Sequence, residues 1–413
     1  MKLISASLHR HWARFLMVLG PGLVVMLADT DAGSVITAAQ SGAEWKYHLL
    51  LLQLILIPIL YMVQELTIRL GVVSQKGHGD LIQEYFGLSW AWVSVGTLIL
   101  ACVGALLSEL SGLAGVGLLF GIPAWATMLG VVASLLLMAI TGSYLSVERI
   151  AMAVGAFELV FLVVAWKANP DLTLIIQGVV NVPWHNHNYL YLVAANIGAV
   201  IMPWMVFYQQ SAVVEKKLTV DDLPAARLDT IGGAIITQII MAAVLIATAA
   251  TLGKNGNNSA INTVQDIAKA ITPFLGENVG KLLFGLGMSG AALVATIVVS
   301  LTAARTLGEL LGVKHSLEHS PREAPWFYGM YAASLAGGGL IVASGANLVS
   351  LSVGVQVMNA LLLPVVLGFL YFLARRLPQP HRLQGAYAGV VAITIIITAG
   401  FGVYGGLVGM LGG

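Results

Sequence analysis

The chain has 413 residues, of which 58% are hydrophobic and only 9% are charged, and its mean hydropathy is +0.89. A soluble domain carries about 25% charged residues, so this composition excludes a soluble protein and indicates an integral membrane protein. The net charge is +1 and the basic residues cluster only in short loop pairs such as Lys216-Lys217, so nucleic acid is not expected as a partner.

Hydropathy predicts an all-α membrane protein with about eleven spans of roughly 20 residues each, the length that crosses a bilayer. The approximate limits of the spans are 15–40, 46–71, 90–117, 124–142, 148–167, 189–213, 230–252, 280–304, 326–344, 347–373 and 385–410. The connections are short except 168–188 and 253–279, which are predicted as loops. No segment is polar enough to form a separate soluble domain, so residues 1–413 are expected to form one transmembrane domain.

The first predicted span contains two carboxylates, Asp29 and Asp31, in the middle of an apolar stretch. Carboxylates at mid-membrane depth are costly and usually mark an ion path. Gly33 and small neighbours weaken the helix there, which favours a cation site on a broken helix. In this interpretation Asp31 supplies a hard oxygen to a divalent ion, and Asp29 is a nearby or water-bridged partner. In the alternative, one acid is protonated and hydrogen-bonded to a neighbouring helix.

A second interruption is predicted in the sixth span, at Asn196-Ile-Gly198-Ala199-Val-Ile-Met202-Pro203-Trp204. Proline removes an amide donor, and glycine adds backbone freedom. The Ala199 carbonyl and the Met202 thioether are therefore candidate ion ligands, although a methionine in an apolar span can also be ordinary core packing. The two interruptions lie five spans apart, which favours two inverted repeats at about 15–167 and 189–373, with an extra helix at about 385–410.

Two further acids fall within predicted spans. Glu109 is a candidate proton or gating residue, or a buried acid bonded to serines, and Glu158 is expected to be structural. No Lys or Arg lies at comparable depth, so an interior with acidic and no basic groups favours cations over anions or zwitterions.

The distribution of Lys and Arg predicts the orientation. With the N-terminus in the cytoplasm, fifteen of the 20 basic residues fall inside. The five outside are Lys46, Lys167, Lys254, Lys269 and Lys281. An odd number of spans places the C-terminus outside, and the expected location is the plasma (inner) membrane.

At these motifs the chain resembles the Nramp family of divalent metal transporters. The family's first break, Asp-Pro-Gly-Asn, corresponds to Asp31-Ala-Gly-Ser34, and its Met-Pro-His motif corresponds to Met202-Pro203-Trp204. Val355-Gln356-Val-Met-Asn359 and Phe120-Gly-Ile-Pro123 also resemble family segments. The resemblance implies a LeuT/APC-like fold with broken helices 1 and 6, working by alternating access. It also implies that Asp31, the Ala199 carbonyl and Met202 are metal ligands, joined by Gln356 when the ion is occluded.

The chain departs from the family at several positions. Ser34 replaces the asparagine, Trp204 replaces the histidine, Leu106 replaces an acid of the third span, and the ninth span lacks the family's basic residues. Of the family's proton route only Glu109 remains, so obligatory proton coupling is not expected. The extra Asp29 and the shorter Ser34 indicate a roomier site that suits an ion retaining water, such as Mg²⁺. The pattern resembles the Nramp-related magnesium transporters, a divergent branch, whereas Met202 is compatible with Mn²⁺.

The expected function is import of divalent cations, Mg²⁺ and Mn²⁺ first, by a secondary-type transporter. The expected partners are these ions and the lipid bilayer, with no enzyme activity, no resident cofactor and no obligate protein partner. Two alternatives remain open. One is a proton-coupled Mn²⁺/Fe²⁺ symporter of the standard Nramp type, and the other is a sodium-coupled amino-acid symporter.

Overall fold

The computed structural model describes Val25 and residues 28–141, 159–251, 261–271, 275–314, 316, 319–345 and 347–411. These residues form α-helices and short connections, and no strand occurs among them. In chain order the helices are α1 (Ala32–Trp45), α2 (Leu50–Ser74), α3 (His78–Phe86), α4 (Leu88–Leu119), α5 (Ala124–Thr141), α6 (Val160–Lys167), α7 (Leu172–Val180), α8 (His187–Val200), α9 (Pro203–Glu215), α10 (Leu223–Thr251), α11 (Val264–Ile271), α12 (Glu277–Leu311), α13 (Pro325–Ala343), α14 (Leu348–Ala374) and α15 (Gly385–Leu411).

The predicted all-helical membrane architecture is confirmed. Within the described ranges, nine helical segments are long and apolar enough to cross a bilayer, with α8 and α9 counted together. Each coincides with a predicted span. The predicted spans 15–40 and 148–167 lie partly outside the described residues, and Glu158 lies outside them entirely. The described part of the first span continues into α1, and that of the second continues into α6.

Two segments predicted as loops contain helices. Residues 168–188 include α7, which meets α6 at a bend of 106°, and residues 253–279 include α11. Neither helix is long enough to cross a bilayer on its own. Local capping fixes their starts, since the Asp171 carboxylate accepts the Thr173 amide at 2.8 Å and the Asp266 carboxylate accepts the Thr263 amide at 3.1 Å.

Both predicted helix breaks are present. The backbone is helical at Asp29, leaves the helix at Thr30, and is extended at Asp31 (φ −66°, ψ 171°) before α1 begins. The second break separates α8 from α9, where Met202 is extended (φ −89°, ψ 138°) and Pro203 opens α9. Proline suits the first position of a helix, because the N–H that proline lacks would have no intrahelical partner at that position.

Small residues bring the broken helices against their neighbours. A Cβ added to Gly198 of α8 would overlap the Gln356 carbonyl oxygen of α14 and lie 2.7 Å from the Ala360 nitrogen. A Cβ on Gly42 of α1 would overlap the Thr248 hydroxyl and the Leu245 carbonyl of α10. Such close backbone approach is typical of helix packing in membranes. The break between α8 and α9 is therefore held directly against α14.

The broken pair α8–α9 lies at the centre of the bundle. In the apolar stretch that could cross the bilayer, 94% of the residues of α8–α9 are buried, whereas only 28% of those of α15 are buried. The exposed apolar side chains of α15, such as Ile393, Ile396 and Tyr404, belong to a face suited to lipid. The interrupted pair α8–α9 is thus an interior element of the bundle, whereas α15 is a peripheral one.

The contact between α8 and α14 predicts a strong position effect of glycine substitution. Gly198→Ala is expected to destabilise the fold by about 1–3 kcal/mol, the usual cost of overpacking, because the added methyl meets backbone. Gly368→Ala, in α14 where nothing lies within 4 Å of the added Cβ, is the matched control. Thermal unfolding midpoints of the two variants in detergent measure the difference. Equal midpoints would contradict this packing.

Candidate functional site

Asp31 lies at the first break and caps α1. Its Oδ1 accepts the Ser34 amide at 2.6 Å, while Oδ2 is buried and has no hydrogen-bond partner among the described residues. The cap explains why α1 restarts at Ala32, because one of the orphan amides of the first turn is satisfied by this carboxylate. The second oxygen is left available to a cation.

Ser34 joins the two breaks. Its hydroxyl donates a hydrogen bond to the Ala199 carbonyl at 3.0 Å, near the end of α8. A carbonyl oxygen has two lone pairs, so Ala199 keeps one for an additional partner. The carbonyl end of α8 carries the negative pole of its helix dipole, which favours a cation at the break. The predicted site residues Asp31, Ser34 and Ala199 are thus brought together.

Glu109 on α4 faces the same break. Its Oε2 accepts the Ala32 amide at 2.9 Å, and its Oε1 finds no donor within the described parts of the chain. Glu109 and Asp31 lie close enough to interact electrostatically. Among the described residues the Ser108 and Ser111 hydroxyls are buried without a hydrogen-bond partner, so neither of them bonds to Glu109.

Within the described structure, the three carboxylates of this region form no ion pair with a basic side chain. Asp29, Asp31 and Glu109 are at most 1% exposed, and none of the ion pairs between described residues includes them. Both oxygens of Asp29 are buried and have no hydrogen-bond partner in the described structure. Burying ionised carboxylates without a counter-charge is strongly unfavourable, so this region requires a cation or protons.

Gln356 reaches the first break from α14. A Cβ added to Gly33 would overlap the Gln356 amide nitrogen and lie 2.6 Å from the Ser108 hydroxyl oxygen. The Gln356 Oε1 accepts a hydrogen bond from the Asn359 amide at 2.9 Å, so its NH₂ group faces the break. A joint flip of the two carboxamides would keep their hydrogen bond and turn the Gln356 oxygen toward an ion.

Met202 lies at the second break and is 1% exposed. Its sulfur accepts a hydrogen bond from the Trp204 indole N–H at 3.1 Å. Trp204, which is 0% exposed, is among the largest fully buried side chains of the described structure. Thus the residue that replaces the histidine of the family motif contacts the predicted sulfur ligand directly.

Sequence reasoning did not assign Ser108 or Asn359 to the site. Both were recognisable by position, since Ser108 precedes Glu109 and Asn359 follows Gln356 by three residues on one helical face. The described residues contain no group of three or more His, Cys, Asp or Glu side chains arranged to hold a metal. A bound ion would therefore need carbonyl, hydroxyl or amide oxygens in addition to carboxylates.

A polar network closes the bundle on one side of the site. Asn196 of α8 donates to the Ser41 hydroxyl of α1 at 2.8 Å and accepts from the Gln53 amide of α2 at 2.6 Å. All three side chains are buried. The network therefore links α1, which follows the first break, to α8, which precedes the second break.

The opposite side is closed near α3, and we name it the α3 end. Gln210 of α9 donates to the Lys76 carbonyl at 2.9 Å, and its Oε1 lies 2.8 Å from the His78 Nδ1. Burial lowers the pKa of His78 to about 4, against the opposing effect of the Gln210 hydrogen bond, so the ring is neutral near pH 7. The Ser211 hydroxyl donates to Glu309 of α12 at 3.2 Å. These contacts tie α9 to α3 and α12.

Beyond these contacts a cavity of about 350 Å³ opens at the α3 end. Asp80, Glu215 and Glu309 line it together with Lys76, Lys217 and Arg305, and Arg305 pairs with Glu215 at 2.6 Å. The site between the breaks is thus enclosed from both ends, and its residues Asp31, Ser34, Ala199, Met202 and Gln356 are all buried. These five residues are therefore shielded from solvent in this structure.

The family model described as "Nramp: Natural resistance-associated macrophage protein-like" matches residues 22–407. Among curated proteins, the chain is 28% identical over 309 residues to the divalent metal cation transporter MntH of Staphylococcus haemolyticus, covering 70% of this chain and 68% of that protein. It is also 28% identical over 310 residues to MntH of Bacillus subtilis, covering 71% of each.

Among solved structures, the chain is similar to the Eremococcus coleocola manganese transporter, with a TM-score of 0.77 and 19% identity over 95% of this chain and 87% of that one. A Na⁺-coupled sialic acid symporter matches with a TM-score of 0.60 and 12% identity, over 92% of this chain and 88% of that one. At these identities the similarity shows the fold alone. The fold is the predicted LeuT-like arrangement.

The Gln356–Asn359 pair predicts a supporting role for Asn359. Asn359→Leu leaves the Gln356 carboxamide without its partner, and apparent Mn²⁺ affinity is expected to fall about 10-fold, since loss of residues that orient ligands typically costs 10–100-fold. Gln384→Leu removes an exposed carboxamide outside the candidate site and is the control. Isothermal titration of both purified variants measures the effect. An unchanged affinity in Asn359→Leu would show that Gln356 is not oriented by this bond.

Proposed function

Because the chain belongs to the Nramp family, we propose that it is a secondary-type transporter that imports divalent metal cations, with Mg²⁺ and Mn²⁺ as its main substrates, by alternating access. The curated relatives are described as divalent metal cation transporters. The proposal goes further than these descriptions in two respects, which are the inclusion of Mg²⁺ and transport without an obligatory proton.

The observation that carries the proposal is the buried Asp31 Oδ2 at the helix break, which receives no hydrogen bond from an N–H or hydroxyl donor among the described residues and lies beside the Glu109 carboxyl group. A hard carboxylate oxygen beside the Ala199 carbonyl and the Ser34 hydroxyl is the kind of donor set that Mg²⁺ and Mn²⁺ prefer. Gln356 would add an amide oxygen after the carboxamide flip. Asp29 is the remaining buried carboxylate without a partner in the described structure, and we assign it to water-mediated stabilisation of the ion.

Ligand size favours an ion that keeps part of its hydration shell. Ser34 is shorter than the asparagine of the family motif, and its hydroxyl is engaged with the Ala199 carbonyl, so it fills less of the volume beside Asp31 than an asparagine side chain would. Mg²⁺ dehydrates reluctantly and usually retains several waters when bound. Mn²⁺ accepts the same oxygen ligands, and it also tolerates the Met202 sulfur better than Mg²⁺ does.

Transport does not need a proton for its driving force. Two positive charges moving inward gain about 4.6 kcal/mol per 100 mV of membrane potential, from about 2.3 kcal/mol for each charge. Trp204 stands where the family motif has a protonatable histidine, and an indole carries no exchangeable charge at physiological pH. The membrane potential alone is therefore sufficient for uptake.

Alternating access requires the two closures to open in turn. The Asn196 network closes one end, and the Gln210 and Ser211 contacts close the α3 end. We assign the α3 end to the cytoplasm, because the excess of Lys and Arg falls on that side, with the N-terminus inside and the C-terminus outside in a bacterial-type plasma membrane. The proposed repeats at about 15–167 and 189–373 would move against each other around the fixed site, with 385–410 as an added helix.

The second candidate is the proton-coupled Mn²⁺/Fe²⁺ symporter. The specific observation in its favour is the proximity of Glu109 to Asp31, since neighbouring buried carboxylates can exchange a proton when a cation arrives. The sodium-coupled amino-acid symporter is less compatible with the site. A substrate carboxylate would meet Asp29 and Asp31 with no compensating base among the described residues.

Asp31→Ala is expected to reduce Mg²⁺ entry by at least about 10- to 100-fold, because a ligand matters at least as much as the groups that orient it. Influx into proteoliposomes loaded with a Mg²⁺-sensitive dye measures the effect, and Mn²⁺ is tested in parallel vesicles. Glu277→Gln, at an exposed acid paired with Lys281, is the control and should transport normally. Absence of Mg²⁺ entry in the wild type, with Mn²⁺ entry intact, would restrict the protein to transition metals.

The lumen of the same vesicles is expected to keep its pH during metal uptake, since Trp204 provides no proton site and the potential supplies the energy. A pH-sensitive dye inside the vesicles checks this at a potential clamped with K⁺ and valinomycin. Acidification that depends on the metal, and that disappears in Glu109→Gln, would contradict uncoupled transport and establish the symporter instead.

A further inference from the structure

The hydrogen bond between Trp204 and Met202 bears on which metals the site accepts. The indole N–H lies 3.1 Å from the sulfur, and both side chains are buried. Indole nitrogen is a donor only, so at this distance it approaches the sulfur with its positive hydrogen. The sulfur therefore faces an N–H dipole on one side while the metal site lies at the same helix break.

Thioether sulfur is a soft ligand that favours soft and transition metals over Mg²⁺. A hydrogen bond to the sulfur uses electron density that a metal would otherwise receive. The hydrogen bond therefore weakens the binding of ions that favour sulfur ligands, such as Cd²⁺. It hardly affects the binding of ions held by oxygen ligands.

The local backbone favours persistence of this contact. Met202 is extended, Pro203 fixes the first residue of α9, and Trp204 follows within the same helical turn. Trp204 is 0% exposed, so reorientation of its indole ring would require the surrounding core to rearrange. The donor and acceptor are thus held together by packing as well as by the hydrogen bond.

We propose that Trp204 is a selectivity-determining positioning residue, whose indole N–H holds the Met202 sulfur away from the transported ion and thereby disfavours soft metals. The inference rests on the proposed function, because it assumes that the ion binds between the two breaks. It assigns to Trp204 a role that the loss of a histidine does not by itself imply. In this arrangement Met202 borders the site without contacting the ion, and the oxygen ligands determine the order of preference among cations.

Competition between metals tests the proposal. Wild type and Trp204→Phe, which keeps an aromatic ring but lacks the N–H, are compared by inhibition of Mn²⁺ uptake with Cd²⁺ and with Mg²⁺. In Trp204→Phe the half-inhibitory concentration of Cd²⁺ should fall about fivefold relative to that of Mg²⁺, the factor that corresponds to one hydrogen bond of about 1 kcal/mol. An unchanged ratio would overturn the proposal.

A double-mutant cycle separates this mechanism from a general change of shape. The same comparison is made in a Met202→Leu background, where no sulfur is present. The Cd²⁺ effect of Trp204→Phe should disappear there, because the two residues act through a shared contact. If the effect persists without the sulfur, Trp204 acts by shape and the proposal is wrong.

X-ray absorption at the cadmium edge gives a readout that does not depend on transport or on the stability of the variants. Cd²⁺ added to purified wild-type protein should show oxygen or nitrogen neighbours only, or should fail to bind. Trp204→Phe should add one sulfur neighbour. A sulfur neighbour in the wild type would overturn the inference.

Failure of the proposed function would look different. If wild-type vesicles take up neither Mn²⁺ nor Mg²⁺, or if Asp31→Ala leaves uptake intact, then the transport site itself has been misassigned. If Asp31-dependent uptake is present and the metal ranking ignores Trp204, only the selectivity inference fails.

Discussion

The need to satisfy buried carboxylates at two helix interruptions organises the centre of this protein. In the membrane interior each backbone and carboxylate group must find a partner within the protein or bind an ion. The chain meets this need partly with its own amides, since Ser34 and Ala32 donate to Asp31 and Glu109 respectively. It leaves one oxygen of each acid without a donor in the described structure, so the buried charge of this centre requires a cation or protons.

Close helix packing makes this centre possible. Gly198 and Gly33 lie where a side chain would collide with α14, so Gln356 can approach both breaks. The polar closures lie farther along the same helices, at Asn196 on one side and Gln210 on the other. The helices that carry the candidate ligands therefore also carry the contacts that close both ends.

The departures from the family motifs are compensated by neighbouring groups. Ser34 is shorter than the asparagine of the family motif, and its hydroxyl connects α1 to the Ala199 carbonyl. Trp204 has no group that titrates near physiological pH, but its N–H donates a hydrogen bond to the Met202 sulfur. Both changes alter the ligand properties of a neighbour, so the character of the site depends on pairs of residues rather than on single replacements.

The sequence by itself determined the membrane class, most of the spans and both interruptions. Hydropathy is a local property, and Pro203, Gly198 and the acid pair lie within single apolar stretches. Sequence reasoning missed α7 and α11, because helices of eight or nine residues are shorter than the window that detects a span. It also placed Asp31, Ala199 and Met202 in one candidate site, on the strength of paired breaks and a family resemblance.

Only the tertiary structure decided how those residues meet. The Ser34 and Ala199 partners are 165 residues apart, and Glu109 is 77 residues from the amide it accepts, so no local pattern encodes either contact. Even the Trp204–Met202 bond, between residues two apart, depends on rotamers that packing selects. The sequence specifies which groups are buried at a given depth, whereas the directions in which they point follow from the helices that surround them.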